Sequence, residues 1–169
     1  DDNNELVFGT KNGLVYGLDH NGNQLFVYEQ SDSIVGFCSL SDVNNDSFFE
    51  IIFIATNDST SKLHIIDYLG NDLEGFPIII PKKIMAPAAI ADIDMDGYSD
   101  IVFGAIDGAV YVIDISGNIK TGFPVYALDD IYSPPTLLNL DDNSELEIVL
   151  NDNNGIIYLY NHNGSLINQ

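Results

Sequence analysis

DIDMDGYSDIVFGAIDGAVYVID, residues 92–114, joins two unlike signals. Asp92, Asp94, Asp96 and Asp100 stand at positions 1, 3, 5 and 9 of its first nine residues. Then IVFGA and AVYVID read as two short strands, β-branched and aromatic, with an Asp-Gly pair in the gap. Four carboxylates this close repel one another unless something positive stands between them. The chain already carries a formal net charge of -21, so the crowding calls for a cause.

The same pattern recurs along the chain. An acidic residue precedes an apolar strand at Glu5 (LVFG), Glu50 (IIFIA), Asp100 (IVFGA) and Glu147 (IVL), at intervals of 45, 50 and 47 residues. A second strand then runs into an Asn-Gly-type turn in GLVYGLDHNGN, KLHIIDYLGN, AVYVIDISGN and IIYLYNHNGS. QLFVY, GFPIII, GFPVY and SLINQ follow, and then SIVGFCSL, IMAPAAI and IYSPPTLL lead into the next acidic loop. In chain order these strands are b, c, d and a. No window carries a helical period with caps. About fifteen strands are expected, in units of approximately 1–41, 42–91, 92–138 and 139–169.

Four-stranded antiparallel units at this period predict an all-β fold of β-propeller blades. The a strands hold small residues and proline (Gly36, Cys38, Ala86, Pro87, Ala88, Pro134, Pro135), which suits the crowded innermost strand. Fifteen strands are one short of four complete blades. The count therefore favours part of a longer array over a closed four-bladed ring, and open strand edges that invite self-association.

Composition narrows the partners. The chain has 169 residues, enough for a sizeable core, and 46% are hydrophobic, so it is no disordered acidic tail. Five lysines and no arginine oppose 26 acidic residues, which excludes phosphate-neutralising contact with nucleic acid and disfavours anionic membranes. No apolar run approaches membrane-spanning length, so no membrane insertion is expected. Cys38 is the lone cysteine, and no disulfide can form within the chain.

Three a–b loops repeat the oxygen pattern: DVNNDSFFE (42–50), DIDMDGYSD (92–100) and NLDDNSELE (139–147). Their side-chain ligand candidates are Asp42, Asn44, Asp46 and Glu50; Asp92, Asp94, Asp96 and Asp100; and Asn139, Asp141, Asn143 and Glu147. Position 7 (Phe48, Tyr98, Glu145) offers a backbone carbonyl. Alternating hard oxygens closed by a carboxylate suit Ca²⁺, which takes about six to eight such ligands. Gly97 at position 6 allows the sharp turn. An EF-hand is excluded, because the closing acid comes at position 9 and strands flank the loop. The alternative is a solvated acidic turn. The third loop, with two amides and no glycine, leaves the two readings balanced. Asp1, Asn3 and Glu5 match positions 5, 7 and 9 of a fourth loop that lacks its first ligands.

With the adjoining VFGA and VFGT strands, these loops resemble FG-GAP (VCBS-type) repeats, the blades of the integrin alpha-subunit-like β-propeller. The resemblance runs through essentially the whole chain and is best at residues 92–125. No blade reads Gly-Ala-Pro, and Phe-Gly is absent from the second and fourth units. The resemblance implies structural Ca²⁺ and a secreted adhesion or recognition module. Calcium at extracellular levels is expected to stabilise the fold by about 1.4 kcal/mol per site, whereas cytosolic calcium is too low to do so. Hence an extracellular or cell-surface location is expected.

The a–b loops share a face with the c–d hairpins. The b–c and d–a loops, with Lys82 and Lys83, form the opposite and less uniform face, read either as a surface for a protein or glycan ligand or as ordinary loop drift. No nucleophile motif, phosphate loop or zinc spacing appears, and the histidines follow the repeat: His20 and His162 share a turn position, and His64 takes the column of Tyr16, Tyr111 and Tyr158. A non-catalytic module is expected. A surface-fibre subunit and a calcium-bearing polysaccharide lyase are the alternatives. Asn45, Asn57 and Asn163 head N-x-S sequons, relevant only in a glycosylating route.

Overall fold

The computed structural model describes residues 5–141 and 143–168, and none of these forms a helix. Fifteen strands follow in order. The first three are β1 (Leu6–Gly9), β2 (Leu14–Leu18) and β3 (Gln24–Glu29). Then come β4 (Ser33–Ser41), β5 (Glu50–Thr56), β6 (Ser61–Ile66) and β7 (Ile78–Ile80). Next are β8 (Ala89–Ala91), β9 (Asp100–Gly104), β10 (Ala109–Ile113) and β11 (Val125–Tyr126). Last are β12 (Thr136–Leu138), β13 (Glu147–Asn151), β14 (Ile157–Tyr160) and β15 (Leu166–Asn168).

They form one three-stranded sheet, β1-β2-β3, and three four-stranded sheets, β4 to β7, β8 to β11 and β12 to β15. Neighbours are antiparallel throughout. Each later sheet begins with an a strand, so blades are offset by one strand from the sequence units. The reason is local: the nine-residue acidic loop turns a back onto the following b, as in β4 on β5, where Ser41 faces Glu50.

Successive sheets stack face to face. Period-2 alternation gives each central strand two apolar faces, one toward the preceding sheet and one toward the next. Three clusters result. Val15 of the first sheet meets Ile51, Phe53 and Ile66 of the second. Ile52, Ile54, Leu63 and Ile65 of the second meet Ile101, Phe103, Tyr111 and Ile113 of the third. Val102, Val110 and Val112 of the third meet Ile148, Leu150, Tyr158 and Tyr160 of the fourth. The a strands β4, β8 and β12 touch in series along the inner side, and β1 touches β4.

The Phe-Gly pair has a packing cause. A Cβ on Gly9 would lie 2.5 Å from Ile34 Cγ2, and one on Gly104 would lie 2.4 Å from Ile131 Cγ2. Glycine admits the isoleucine of the following d–a segment against the b strand. The phenylalanine faces the other way and stacks on the c-strand ring, as Phe103 does on Tyr111 at 5.4 Å.

Candidate metal centre

The three acidic loops lie side by side at one end of the blades. Asn45 Nδ2 donates to the Gly97 carbonyl at 2.8 Å, and Leu146 N donates to the Ile93 carbonyl at 2.9 Å. The loops 42–50 and 92–100 fold alike. Asp42 accepts from the backbone N–H of Asp46 and Ser47 at 3.1 and 3.0 Å. Asp92 accepts from Asp96 and Gly97 at 3.0 and 2.8 Å. Asp46 and Asp96 each accept from the N–H two residues on, at 2.8 and 2.9 Å. The closing acid is buried in all three loops and caps the amide at position 2: Glu50 on Val43, Asp100 on Ile93 and Glu147 on Leu140, at 3.0, 3.4 and 2.7 Å.

This geometry bends the backbone into the left-handed region at positions 4 and 6. Gly97 has φ 94°, as the sequence suggested. Met95 (φ 60°), Asn45 (φ 61°) and Ser47 (φ 74°) take the same conformation without being glycine. For methionine and serine that conformation is strained.

The loops differ in what gathers at the centre. In 92–100, ligand oxygens of Asp92, Asp94 and Asp100 all lie within 4.8 Å of one another. Asp96 falls outside this cluster and is exposed. In 42–50, Asn44 Nδ2 donates to Asp46 at 3.0 Å and Glu50 at 3.3 Å, so an amide bridges the acids. In 139–147, Asp141 accepts from Asn143 N at 3.2 Å, while the Asn139 amide donates to the Asn143 carbonyl. Asn139, Asp141 and Asn143 are exposed, and Glu145 is half-buried. The Phe48 and Tyr98 side chains at position 7 are exposed. Asp1 and Asn3 lie outside the described residues.

One residue was missed from sequence. Lys120, after the third c–d turn, places Nζ 2.6 Å from Asp94, 2.9 Å from Asp100 and 3.6 Å from Asp96. Lys120 holds the column of Leu25, Leu73 and Ile167, a lysine where the other units are apolar. That break in the repeat was the available signal. Burial holds Asp100 up at about 6, against the downward pull of Lys120. Burial alone would lower Lys120, but Asp94 and Asp100 outweigh it and raise it. Glu50 is raised chiefly by burial.

The donor set fits a hard cation in part. The four ligand candidates of 92–100 are all carboxylates, and Asp94 Oδ1 is buried without a hydrogen-bond partner, as is Glu147 Oε1. An ammonium already stands among the acids of 92–100, so a divalent ion there must displace it. A cleft of about 460 Å³ lined by Asp94, Asp114, Lys120, His162 and Asn163 leads to that point. A second, of about 560 Å³, lies between the first two sheets, where Phe48 stacks on Tyr68 at 4.8 Å beside Leu25, Phe26 and Leu40. Both clefts open on the acidic-loop face. On the opposite face Lys82 pairs with Asp107 at 2.7 Å, and the Lys83 carbonyl accepts from Ile106 N at 3.0 Å.

His64 is buried between Tyr28 and Phe53, with Nδ1 3.1 Å from Tyr28 Oη, and burial depresses it to about 4. Tyr28 Oη in turn donates to Asp72 at 2.8 Å. Cys38 is half-buried and pushed up to about 11 by burial.

Fold and site together define an array of β-propeller blades carrying acidic loops on one face. No protein-family model matches the chain, and no curated protein sequence matches it. Solved structures do match. BBS1N, crystallised in complex with ARL6DN, is 13% identical with a TM-score of 0.73, over 100% of this chain and 53% of that one. The computationally designed Ika4 protein is 20% identical with a TM-score of 0.63, over 94% and 85%. BamB from Moraxella catarrhalis is 18% identical with a TM-score of 0.58, over 96% and 56%. The chain thus spans about half the length of the propeller proteins BBS1N and BamB. At these identities the likeness is one of fold.

Proposed function

We propose that this chain is a calcium-stabilised, extracellular recognition or adhesion module of the FG-GAP (VCBS-type) kind, without catalytic activity. The observation that carries the reading is the convergence of Asp92, Asp94 and Asp100 within 4.8 Å in a loop whose folding is repeated at 42–50. The partnerless Asp94 Oδ1 and Glu147 Oε1 support it, since a buried carboxylate oxygen is costly to leave unsatisfied. Calcium would draw on Asp92, Asp94 and Asp100, with Asp42, Asp46 and Glu50 or Asp141 and Glu147 as the further acids. Bound there, it would tie the start of a b strand to the end of the preceding a strand and join neighbouring blades through the loop contacts. Millimolar calcium is an extracellular condition, which supports a secreted or cell-surface setting.

A protein or glycan ligand is proposed on the face of the b–c and d–a loops. The Phe48–Tyr68 cleft favours the acidic-loop face as a second reading. Melting the chain in EDTA and in millimolar calcium tests the first claim. A reversible rise in Tm with calcium is expected, and identical melts would remove it. Glycan-array binding, repeated with Lys82→Glu and Tyr68→Ala, assigns the face. Loss confined to one variant selects its face, and no binding at all would leave the structural-subunit reading in its place.

A further inference from the structure

At its acidic-loop end, the junction between the first and second sheets is built differently from the other two. The second and third units carry Gly-Phe-Pro between the c–d turn and the d strand. Phe76 and Phe123 from these insertions pack into the clusters that join each sheet to the next. The first unit has no insertion there, and β3 follows its turn directly. Gly17 also stands in the c-strand column of Ile65, Val112 and Leu159. Phe26 lies over it, since a Cβ on Gly17 would come 2.2 Å from Phe26 Cε1. The same ring reaches across to Gly70 in the second unit's c–d turn, where a Cβ would come 2.9 Å from Phe26 Cδ2. One ring thus serves where the other junctions have a phenylalanine and an aliphatic side chain. The cleft of about 560 Å³, lined by Gly17 and Phe26, opens at this place.

The second unit walls this cleft with side chains that depart from the repeat. Phe49 holds the loop position of Ser99, and Phe48 that of Tyr98 and Glu145. Tyr68 holds the turn position of His20, Ile115 and His162. Phe48, Phe49 and Tyr68 are 53%, 65% and 47% exposed, and Leu25 and Leu40 beside them are about as open. Large apolar side chains gathered at a surface cleft mark a place of association.

Charge and lining narrow the occupant. Glu5 lines the cleft, and Asp42, Asp46 and Asp67 stand in the segments that carry Phe48, Phe49 and Tyr68. No lysine lies among the lining residues. Lys11, Lys62, Lys82 and Lys83 sit toward the b–c and d–a loops, and Lys120 is engaged by the acids of 92–100. The lining therefore favours a cationic partner with an apolar anchor. It disfavours a sugar, because the Glu5 carboxylate and the hydroxyls of Ser47 and Tyr68 are its only polar side-chain groups.

We propose that this cleft binds a basic, apolar peptide segment of a partner protein. A leucine or aromatic side chain of the segment enters between Phe26 and Phe48, and flanking lysine or arginine residues meet Glu5, Asp46 and Asp67. The buried anchor supplies most of the affinity, and the acids supply orientation and speed of encounter. This inference rests on the reading of the chain as a recognition module whose acidic-loop face is the binding face, and it gives that face a partner chemistry.

Fluorescence anisotropy tests it, with the intact chain titrated in EDTA so that no divalent ion competes for the acids. The probes are three labelled seven-residue peptides. One alternates lysine with leucine and phenylalanine, the second has serine at every apolar position, and the third has glutamate at every lysine position. The first should bind at least about tenfold more tightly than the second, and the third should not bind. Phe49→Ser and Tyr68→Ser should each weaken the first peptide by about tenfold and leave the second unchanged. The third unit already carries serine at the first of these positions, as Ser99. Equal binding of the first two peptides, or variants that bind like the wild type, would reflect only attraction to the net charge of -21 and would overturn the proposal. Absence of binding through about 100 μM protein would overturn it too. A neutral oligosaccharide that binds and is lost in Tyr68→Ser would overturn the peptide and keep the face. Binding lost only in Lys82→Glu, on the opposite side, would overturn the face as well.

Discussion

Replacing Lys120 by methionine separates the two ways this protein can neutralise its most acidic loop. The ammonium lies within 3.6 Å of Asp94, Asp96 and Asp100, and its side chain is only 16% exposed. Methionine keeps most of the stem and removes the charge, leaving Asp92, Asp94 and Asp100 with oxygens within 4.8 Å of one another and no cation. Removing one partner of a buried ion pair costs about 3–5 kcal/mol, and the partial exposure of Asp94 places this case at the lower end, about 3. For a domain of this size that corresponds to a fall in Tm of roughly 6–12 °C in EDTA at pH 7.5. The loss should shrink at pH 5. Asp100 already sits at about 6, so it protonates there and relieves the repulsion. Calcium should then do more for the variant than for the wild type, because no ammonium has to be displaced. The dissociation constant by calorimetry should fall at least about tenfold, equivalent to 1.4 kcal/mol. Scanning calorimetry of both proteins, in EDTA and in calcium, is the assay. Equal Tm values in EDTA together with equal calcium affinities would refute the reasoning.

Three further outcomes follow from particular residues. His64 is held near 4 by burial, below the 6.5 of the unfolded chain, so the unfolded state binds the extra proton between those values. The stability it leaves intact above pH 6.5 is lost as pH falls toward 4, by about 3 kcal/mol at most. His64→Phe should abolish that part of the slope in urea titrations across this window, and parallel curves would contradict it. Ser47→Gly should raise stability by about 1 kcal/mol, because Ser47 holds φ 74° where the equivalent Gly97 carries no Cβ. A loss measured by chemical denaturation would count against strain at that position. Gly104→Val should destabilise by more than about 2 kcal/mol, since even a Cβ would meet Ile131 at 2.4 Å, and a neutral result would show that the d–a segment yields freely.

The acidic residue before each b strand, the alternating apolar strands and the turn residues made the sheets legible from sequence. Those signals are local, with the 45- to 50-residue spacing repeating them. The acidic-loop positions were legible for the same reason, and of them Asp92, Asp94 and Asp100 converge. Asp96 was not separable from them, because nothing in Met95 before it advertises the left-handed conformation it takes. Lys120 was illegible as a partner for a different reason. It is 20 residues beyond Asp100 and reaches the loop only because the c–d hairpin and the a–b loop share a face. Many of the remaining acids cap turns. Asp19, Asp67 and Asp114 each accept backbone N–H bonds within their c–d turns, at 2.8–2.9 Å. Asp19, Asp67 and Asp114 thus share one position of the repeat, outside the acidic loops.

Calcium titration of the metal-stripped wild-type chain by isothermal calorimetry tests the central claim most directly. Saturable binding of one to three ions with Kd of about 10⁻⁴–10⁻³ M is expected, weakened by Asp94→Asn and strengthened by Lys120→Met. An absence of binding heat through about 10 mM calcium, with Lys120→Met as silent as the wild type, would contradict it. The loops would then be acidic turns held by their backbone hydrogen bonds, Lys120 and the Asn44 amide.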